Sequence, residues 1–271
     1  MYPNGISDSD FETTLNDPTA SVAVHHRPGN RTVLIAFGGL IGAIGFPPFE
    51  FFNLTRKLPV TRIFVRDIRQ TWYQRGLPGI ADDIDGIAAF LRETVIVLGA
   101  ERIVVVGNSM GGYAAIIMGL LLEADAVHAF VPQTFMDRRN VRAHRDDRFY
   151  RYACRLRCVR GARYLDLVRL LRKRVHSQCD INVYYATDHT ADRIHAERLR
   201  GLPTVKLHPF HSGGHELIRQ LRDDGRLAKI IDCSLRGSHP PALAASWTAL
   251  RSEDDVPSPR PRHSDCCLRE T

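Results

Sequence analysis

Ile103-Val104-Val105-Val106-Gly107-Asn108-Ser109-Met110-Gly111-Gly112 is the stretch whose reading decides the fold. Its first four residues are β-branched and unbroken by polar side chains, as a strand buried on both faces requires. Gly107-Asn108-Ser109-Met110-Gly111 then fits G-x-S-x-G, a sharp strand-to-helix turn with serine at its apex. Behind it, Gly112-Tyr113-Ala114-Ala115-Ile116-Ile117-Met118 reads as a helix packed on a sheet. Five residues of this pattern arise by chance about 0.1 times in a chain of this length, so the flanking strand and helix carry the assignment. The turn exposes the Ser109 hydroxyl. It also aims the next N–H, that of Met110, at an oxygen on which negative charge develops.

The same alternation extends outward in both directions. Upstream, 21–25 and 32–37 read as strands joined by the turn Arg27-Pro28-Gly29-Asn30, which predicts an N-terminal hairpin. Residues 62–65 form the next strand. Residues 80–98 carry helical periodicity through Ile84, Ile87, Ala88, Leu91, Val95 and Leu98, with Gly99 placed as a C-cap. Downstream, strands are predicted at 126–131, 182–186 and 204–207, and helices at 192–199 and 215–231. Strands alternating with helices define an α/β class: a mostly parallel sheet with helices on both faces. The long stretch at about 136–179 predicts a basic helical cap over the sheet's carboxyl edge, where sites of such folds sit. Residues 1–20 are expected to be a loose arm, 21–233 the folded domain and 234–271 a disordered tail.

Bulk properties narrow the classes. No apolar run in the 271 residues is long enough to span a membrane, and the first residues lack the pattern of a secretory signal. Six cysteines in such a chain make no disulfide framework, so a cytoplasmic protein with reduced thiols is expected. The net charge of +7 is unevenly placed. Between Asp137 and Arg174 stand thirteen Arg and one Lys against four Asp. Such a segment suits an anionic or carrier-bound substrate, or an amphipathic helix with a solvated Arg face. No RNA-binding signature accompanies it, and no nucleic-acid partner is expected.

A serine nucleophile needs a base, and the base an orienting acid. The order Ser, acid, His is available. Asp188 follows the strand ending near Ala186 and is the first choice for the acid. Asp192 is the alternative, although its position also suits a helix N-cap. Among twelve histidines, His215 follows the last strand and the flexible His211-Ser212-Gly213-Gly214 turn. His208 and His211 are its rivals. The second oxyanion donor is expected from Phe37-Gly38-Gly39-Leu40, with Gly39 chosen and Leu40 as the alternative. Phe46-Pro47-Pro48-Phe49-Glu50-Phe51-Phe52 is apolar. Phe49 and Phe51, with Leu40, are candidates to line a substrate pocket, or simply to pack the loop. Cys154, Cys158, His176 and Cys179 fit no compact zinc pattern, so no metal or organic cofactor is expected.

With these residues in view, the chain resembles the α/β-hydrolase fold superfamily over about residues 20–233. Asp67-Ile68-Arg69 looks like that family's Asp-x-Arg turn, with Gln70 where a glycine is usual. The run from Leu98 to Gly112 is similar to the family's approach to its nucleophile. Asp188 stands before His195-Ala196-Glu197-Arg198-Leu199 much as the family's acid precedes its helix. The resemblance implies Ser109, Asp188 and His215 as a triad. Phe37 and Asn108 depart from it, each standing where histidine is common. Phe49-Glu50-Phe51-Phe52, Arg66-Asp67 with Trp72-Tyr73, and Pro132-Gln133-Thr134-Phe135 look like marks of a bacterial subgroup. That subgroup is similar to uncharacterised hydrolases and carbohydrate-modifying acyltransferases. The expected function is therefore a serine hydrolase of an ester or thioester, working through an acyl-enzyme on a small acyl substrate. The alternatives are an acyltransferase acting on a carbohydrate or carrier-bound substrate, and a hydrolase-fold binding module without catalysis.

Overall fold

The unbroken apolar runs form the centre of one seven-stranded sheet in a computed structural model that describes residues 8–40, 49–146, 148, 156 and 159–238. The strands are β1 (Val22–His25), β2 (Thr32–Phe37), β3 (Thr61–Val65), β4 (Arg102–Asn108), β5 (Ala126–Phe130), β6 (Asp180–Ala186) and β7 (Val205–Phe210). Their spatial order is β1-β3-β2-β4-β5-β6-β7, parallel throughout except for β1.

The predicted hairpin does not form, because β1 pairs antiparallel with β3 and β3 pairs parallel with β2. The connection at 26–31 spans the width of one strand rather than turning tightly. It is fastened to the start of β3: the Arg27 N–H donates to Thr61 Oγ1 at 3.1 Å, and Asn30 Nδ2 donates to the Pro59 carbonyl at 2.6 Å. Pro209 sits in β7, an edge strand that can spare an N–H.

Side chains alternate between two apolar layers. Val33, Ile35, Val105, Val127 and Val183 join one core with α3 (Ile84–Val97) and α4 (Met110–Leu121). On the other face, α1 (Asp8–Asn16) and α2 (Phe52–Thr55) bring Phe11 and Phe52 against Phe64. The N-terminal segment is thus no loose arm over 8–20. Phe11 is buried, and the Arg66 guanidinium donates to the carbonyls of Asp17 and Ala20.

The basic segment divides into parts. Asp137 caps α5 (Arg138–His144), and Asp166 caps α6 (Leu167–Lys173). Leu167, Val168, Leu170 and Leu171 of α6 are buried in the core beside α4, so this helix belongs to the main layer rather than to a cap. That explains why α4 is apolar all round: it lies between the sheet and α6. Cys154, Cys158, residues 41–48 and residues 239–271 lie outside the described residues.

Beyond β6 come α7 (Thr190–Glu197), a 3₁₀ turn (Gly214–Glu216), α8 (Leu217–Asp223) and α9 (Arg226–Leu235). The single closing helix expected at 215–231 is broken at Gly225, whose φ of 78° a right-handed helix cannot continue. Among the described residues, no helix is long and apolar enough to cross a membrane.

Candidate active site

The chain leaves β4 at Asn108 and enters α4 at Met110, so Ser109 alone makes the turn. Its φ of 53° and ψ of −116° are strained for a residue with a side chain. The flanking glycines make the turn possible. A β-carbon on Gly107 would lie 2.1 Å from the Gly111 carbonyl oxygen, and one on Gly111 would lie 2.1 Å from that of Phe37. The Ser109 N–H donates to the Phe130 carbonyl at 2.8 Å, which ties the apex to β5.

The 3₁₀ turn after β7 carries His215 to the serine, with Ser109 Oγ 3.0 Å from His215 Nε2. On the far side of the ring, His215 Nδ1 is 2.8 Å from Asp192 Oδ2. A carboxylate at Nδ1 keeps the proton there, so Nε2 accepts from the serine hydroxyl. The acid against His215 is therefore Asp192, not Asp188. Asp188 accepts the N–H groups of Gly213 and Gly214, at 3.2 and 3.1 Å, and so holds the turn that presents His215. The expected cap role of Asp192 also falls elsewhere, since His189 caps α7. Of the rival bases, His208 bonds to Asn182 and stacks on Tyr184, and His211 is exposed.

Asp192 is almost fully buried and has further partners. Arg148 Nη1 donates to its Oδ1 at 2.7 Å, and His189 Nδ1 lies 3.0 Å from its Oδ2. Burial pushes the carboxyl up, but the bonds from His215 and Arg148 outweigh it and hold the pKa below the usual value. Arg148 also pairs with Asp146, which accepts from His195 Nε2 at 2.9 Å. His195 Nδ1 in turn accepts the Thr134 N–H. A chain of polar contacts thus runs from Ser109 to Thr134.

The oxyanion side is partly as expected. Met110 is the first residue of α4, so its N–H has no acceptor within the helix. A β-carbon on Gly39 would lie 3.9 Å from the Ser109 β-carbon, which places the Gly38-Gly39 turn beside the nucleophile. The Gly39 N–H, however, faces the Glu50 carboxyl. Burial pushes that carboxyl up to about 8, against the opposing pull of the Gly39 N–H and the Asn108 side chain. Gly39 serves an oxyanion only by leaving Glu50, and the next N–H in the turn is that of Leu40. Phe49 is buried against Phe64 with the Arg66 guanidinium over its ring, and Phe51 lies against Phe130. Both pack the loop onto the sheet, and Leu40 rests partly buried against the core.

Two neighbours of the site were not read as functional from sequence. Gln133 Nε2 donates to Ser109 Oγ at 3.0 Å, and Arg148 holds Asp192. Gln133 lies in Pro132-Gln133-Thr134-Phe135, a motif to which the sequence alone gives no role. Arg148 is one of the thirteen arginines between Asp137 and Arg174, and nothing local distinguishes it.

No protein-family model matches the sequence, and no curated protein matches it. Solved structures do. The capsule O-acetyltransferase of Neisseria meningitidis serogroup A is 18% identical with a TM-score of 0.54, over 76% of this chain and 90% of that one. Est1E from Butyrivibrio proteoclasticus is 11% identical with a TM-score of 0.55, over 82% and 98%. MGS-MChE2, an α/β-hydrolase enzyme from a lagoon-sediment metagenome of Mar Chica, Morocco, is 15% identical with a TM-score of 0.51, over 80% and 95%. The chain has the α/β-hydrolase fold.

Proposed function

We propose that this protein is a serine hydrolase that cleaves an ester or thioester through an acyl-enzyme, with Ser109 as nucleophile, His215 as base and Asp192 as the orienting acid. The observation that carries the reading is the unbroken line Ser109 Oγ, His215 Nε2, His215 Nδ1, Asp192 Oδ2, with contacts of 3.0 and 2.8 Å. His215 takes the hydroxyl proton as Ser109 attacks the acyl carbonyl. The Met110 N–H and the turn at 39–40 bind the oxyanion. His215 then hands the proton to the departing alcohol or thiol, and water repeats the sequence on the acyl-enzyme. This chemistry is complete without a metal or organic cofactor.

A fluorophosphonate probe followed by a panel of short- and long-chain p-nitrophenyl esters tests the reading. Labelling that disappears in Ser109→Ala, with ester turnover lost alongside it, is the expected result. A folded wild-type protein that takes no label leaves a binding module instead. Acyl transfer to a carbohydrate is the second reading, favoured by the fold's likeness to a capsule O-acetyltransferase. Product analysis with acyl donor alone and with donor plus sugar separates the two. Either reading suits a small acyl substrate, anionic or carrier-bound, met by the Arg-rich segment.

A further inference from the structure

We propose that Gln133 is a further catalytic residue, whose side-chain amide donates to Ser109 Oγ and stabilises the negative charge that gathers there whenever the bond to the acyl carbon forms or breaks. The inference rests on the serine mechanism above. A hydroxyl has one proton and two lone pairs. Here the proton goes to His215 and one lone pair accepts Gln133 Nε2 at 3.0 Å, which leaves the other for the acyl carbon. Gln133 is 1% exposed, so the contact is shielded from water.

The orientation of the amide is fixed from behind. Trp72 Nε1–H donates to Gln133 Oε1 at 3.3 Å, so the oxygen faces the indole and the NH₂ faces the serine. Trp72 is itself fully buried, in a turn where Gln70, Trp72 and Tyr73 all have positive φ. Such backbone persists only where its surroundings over-determine it. The Asp67 carboxylate does so by accepting the N–H groups of Arg69, Thr71 and Tyr73. Two of the sequence marks without a role, Arg66-Asp67 with Trp72-Tyr73 and Pro132-Gln133-Thr134-Phe135, thereby meet at the nucleophile.

The bond strengthens along the reaction. Against a neutral hydroxyl it is an ordinary hydrogen bond. As the proton moves to His215 and Oγ becomes anionic, it becomes charge-assisted, roughly twice as strong. An interaction stronger in the transition state than in the ground state accelerates the step. Gln133 keeps its own protons throughout. During deacylation Oγ leaves with its electron pair, takes a proton from His215 and accepts the same hydrogen bond from the Gln133 amide.

Rate constants for fluorophosphonate labelling, measured from pH 5 to 9 on the wild type, Gln133→Leu and Gln133→Glu, test this. Melting temperatures confirm that each variant is folded at the assay temperature. Gln133→Leu is expected to label at least about tenfold more slowly, the loss of one donor at the reacting oxygen. Gln133→Glu keeps an acceptor for Trp72 but can donate to Oγ only when protonated. Its rate relative to wild type is expected to fall as pH rises through the pKa of the new carboxyl. Folded variants that label within about twofold of wild type at every pH overturn the proposal. So does a Gln133→Glu ratio that is low but independent of pH, which assigns Gln133 to packing alone; if Gln133→Leu does not fold, the Gln133→Glu ratio decides. A wild type that takes no label at all instead refutes the serine mechanism beneath it.

Discussion

Asp188 and Asp192 are four residues apart, and the difference between them is decided by where β6 ends and α7 begins. His189 caps α7, so Asp192 falls in the first turn and faces His215, while Asp188 stays on the loop with the N–H groups of Gly213 and Gly214. Asp192→Asn is expected to lower kcat by about 10³–10⁴, because an amide at that position no longer holds the required tautomer. Asp188→Asn is expected to keep most of the activity and to lose about 1 kcal/mol of stability from a weakened turn. Steady-state kinetics and denaturant melts of the pair measure both. Glu50 gives a second prediction. Its carboxyl stands at about 8 in the folded protein against 4.5 for an ordinary glutamate, because burial disfavours the anion. Between those values the folded state holds a proton that the unfolded state has released, so stability declines as pH rises and levels off above about 8. Glu50→Gln mimics the neutral acid. Melts at pH 5 and pH 9 are expected to differ less in this variant than in the wild type.

At the scale of elements, the interior of the fold was the most legible. A parallel sheet buried on both faces writes its strands as plain apolar runs, and β2, β4, β5 and β6 were all readable. The elbow was legible for a different reason, since strand, turn and helix are contiguous in sequence. Partner choice was not. The 27–30 turn looks like a hairpin connection, yet β3 from thirty residues further on takes the place between β1 and β2. The basic segment reads as an amphipathic cap helix with a solvated Arg face, and α6 has that apolar face, but Leu167, Val168, Leu170 and Leu171 lie against α4 in the main layer rather than in a cap. Leu167→Ala therefore belongs with core truncations, and a loss of about 2–5 kcal/mol is expected in urea or guanidinium melts. A loss under about 0.5 kcal/mol would match a surface helix instead.

Across the whole molecule, Arg148 links segments that the chain keeps far apart. It bonds Asp146 on its own segment and Asp192 on α7, and Asp192 holds His215 from beyond β7. Arg148→Met leaves two buried carboxylates short of a cation, and about 3 kcal/mol of stability is expected to go at neutral pH. Both carboxyls have folded pKa values below the ordinary 3.8, so the stability they supply is present above that value and lost as pH falls through the lower one. The deficit of the variant is accordingly expected to narrow in acid, and melts from pH 3 to pH 7 measure it. Arg148 also marks the boundary between sequence and structure in this protein. The sequence by itself determined the α/β class, the parallel core and the elbow at Ser109, and put His215 ahead of His208 and His211, because each is written in neighbouring residues or in hydrophobic periodicity. Only the tertiary structure decided which aspartate meets His215, which strand lies beside β1 and which amide and guanidinium reach the site. Those are contacts between groups some twenty to forty-four residues apart, and their choice depends on distances of a few ångströms that no local pattern encodes.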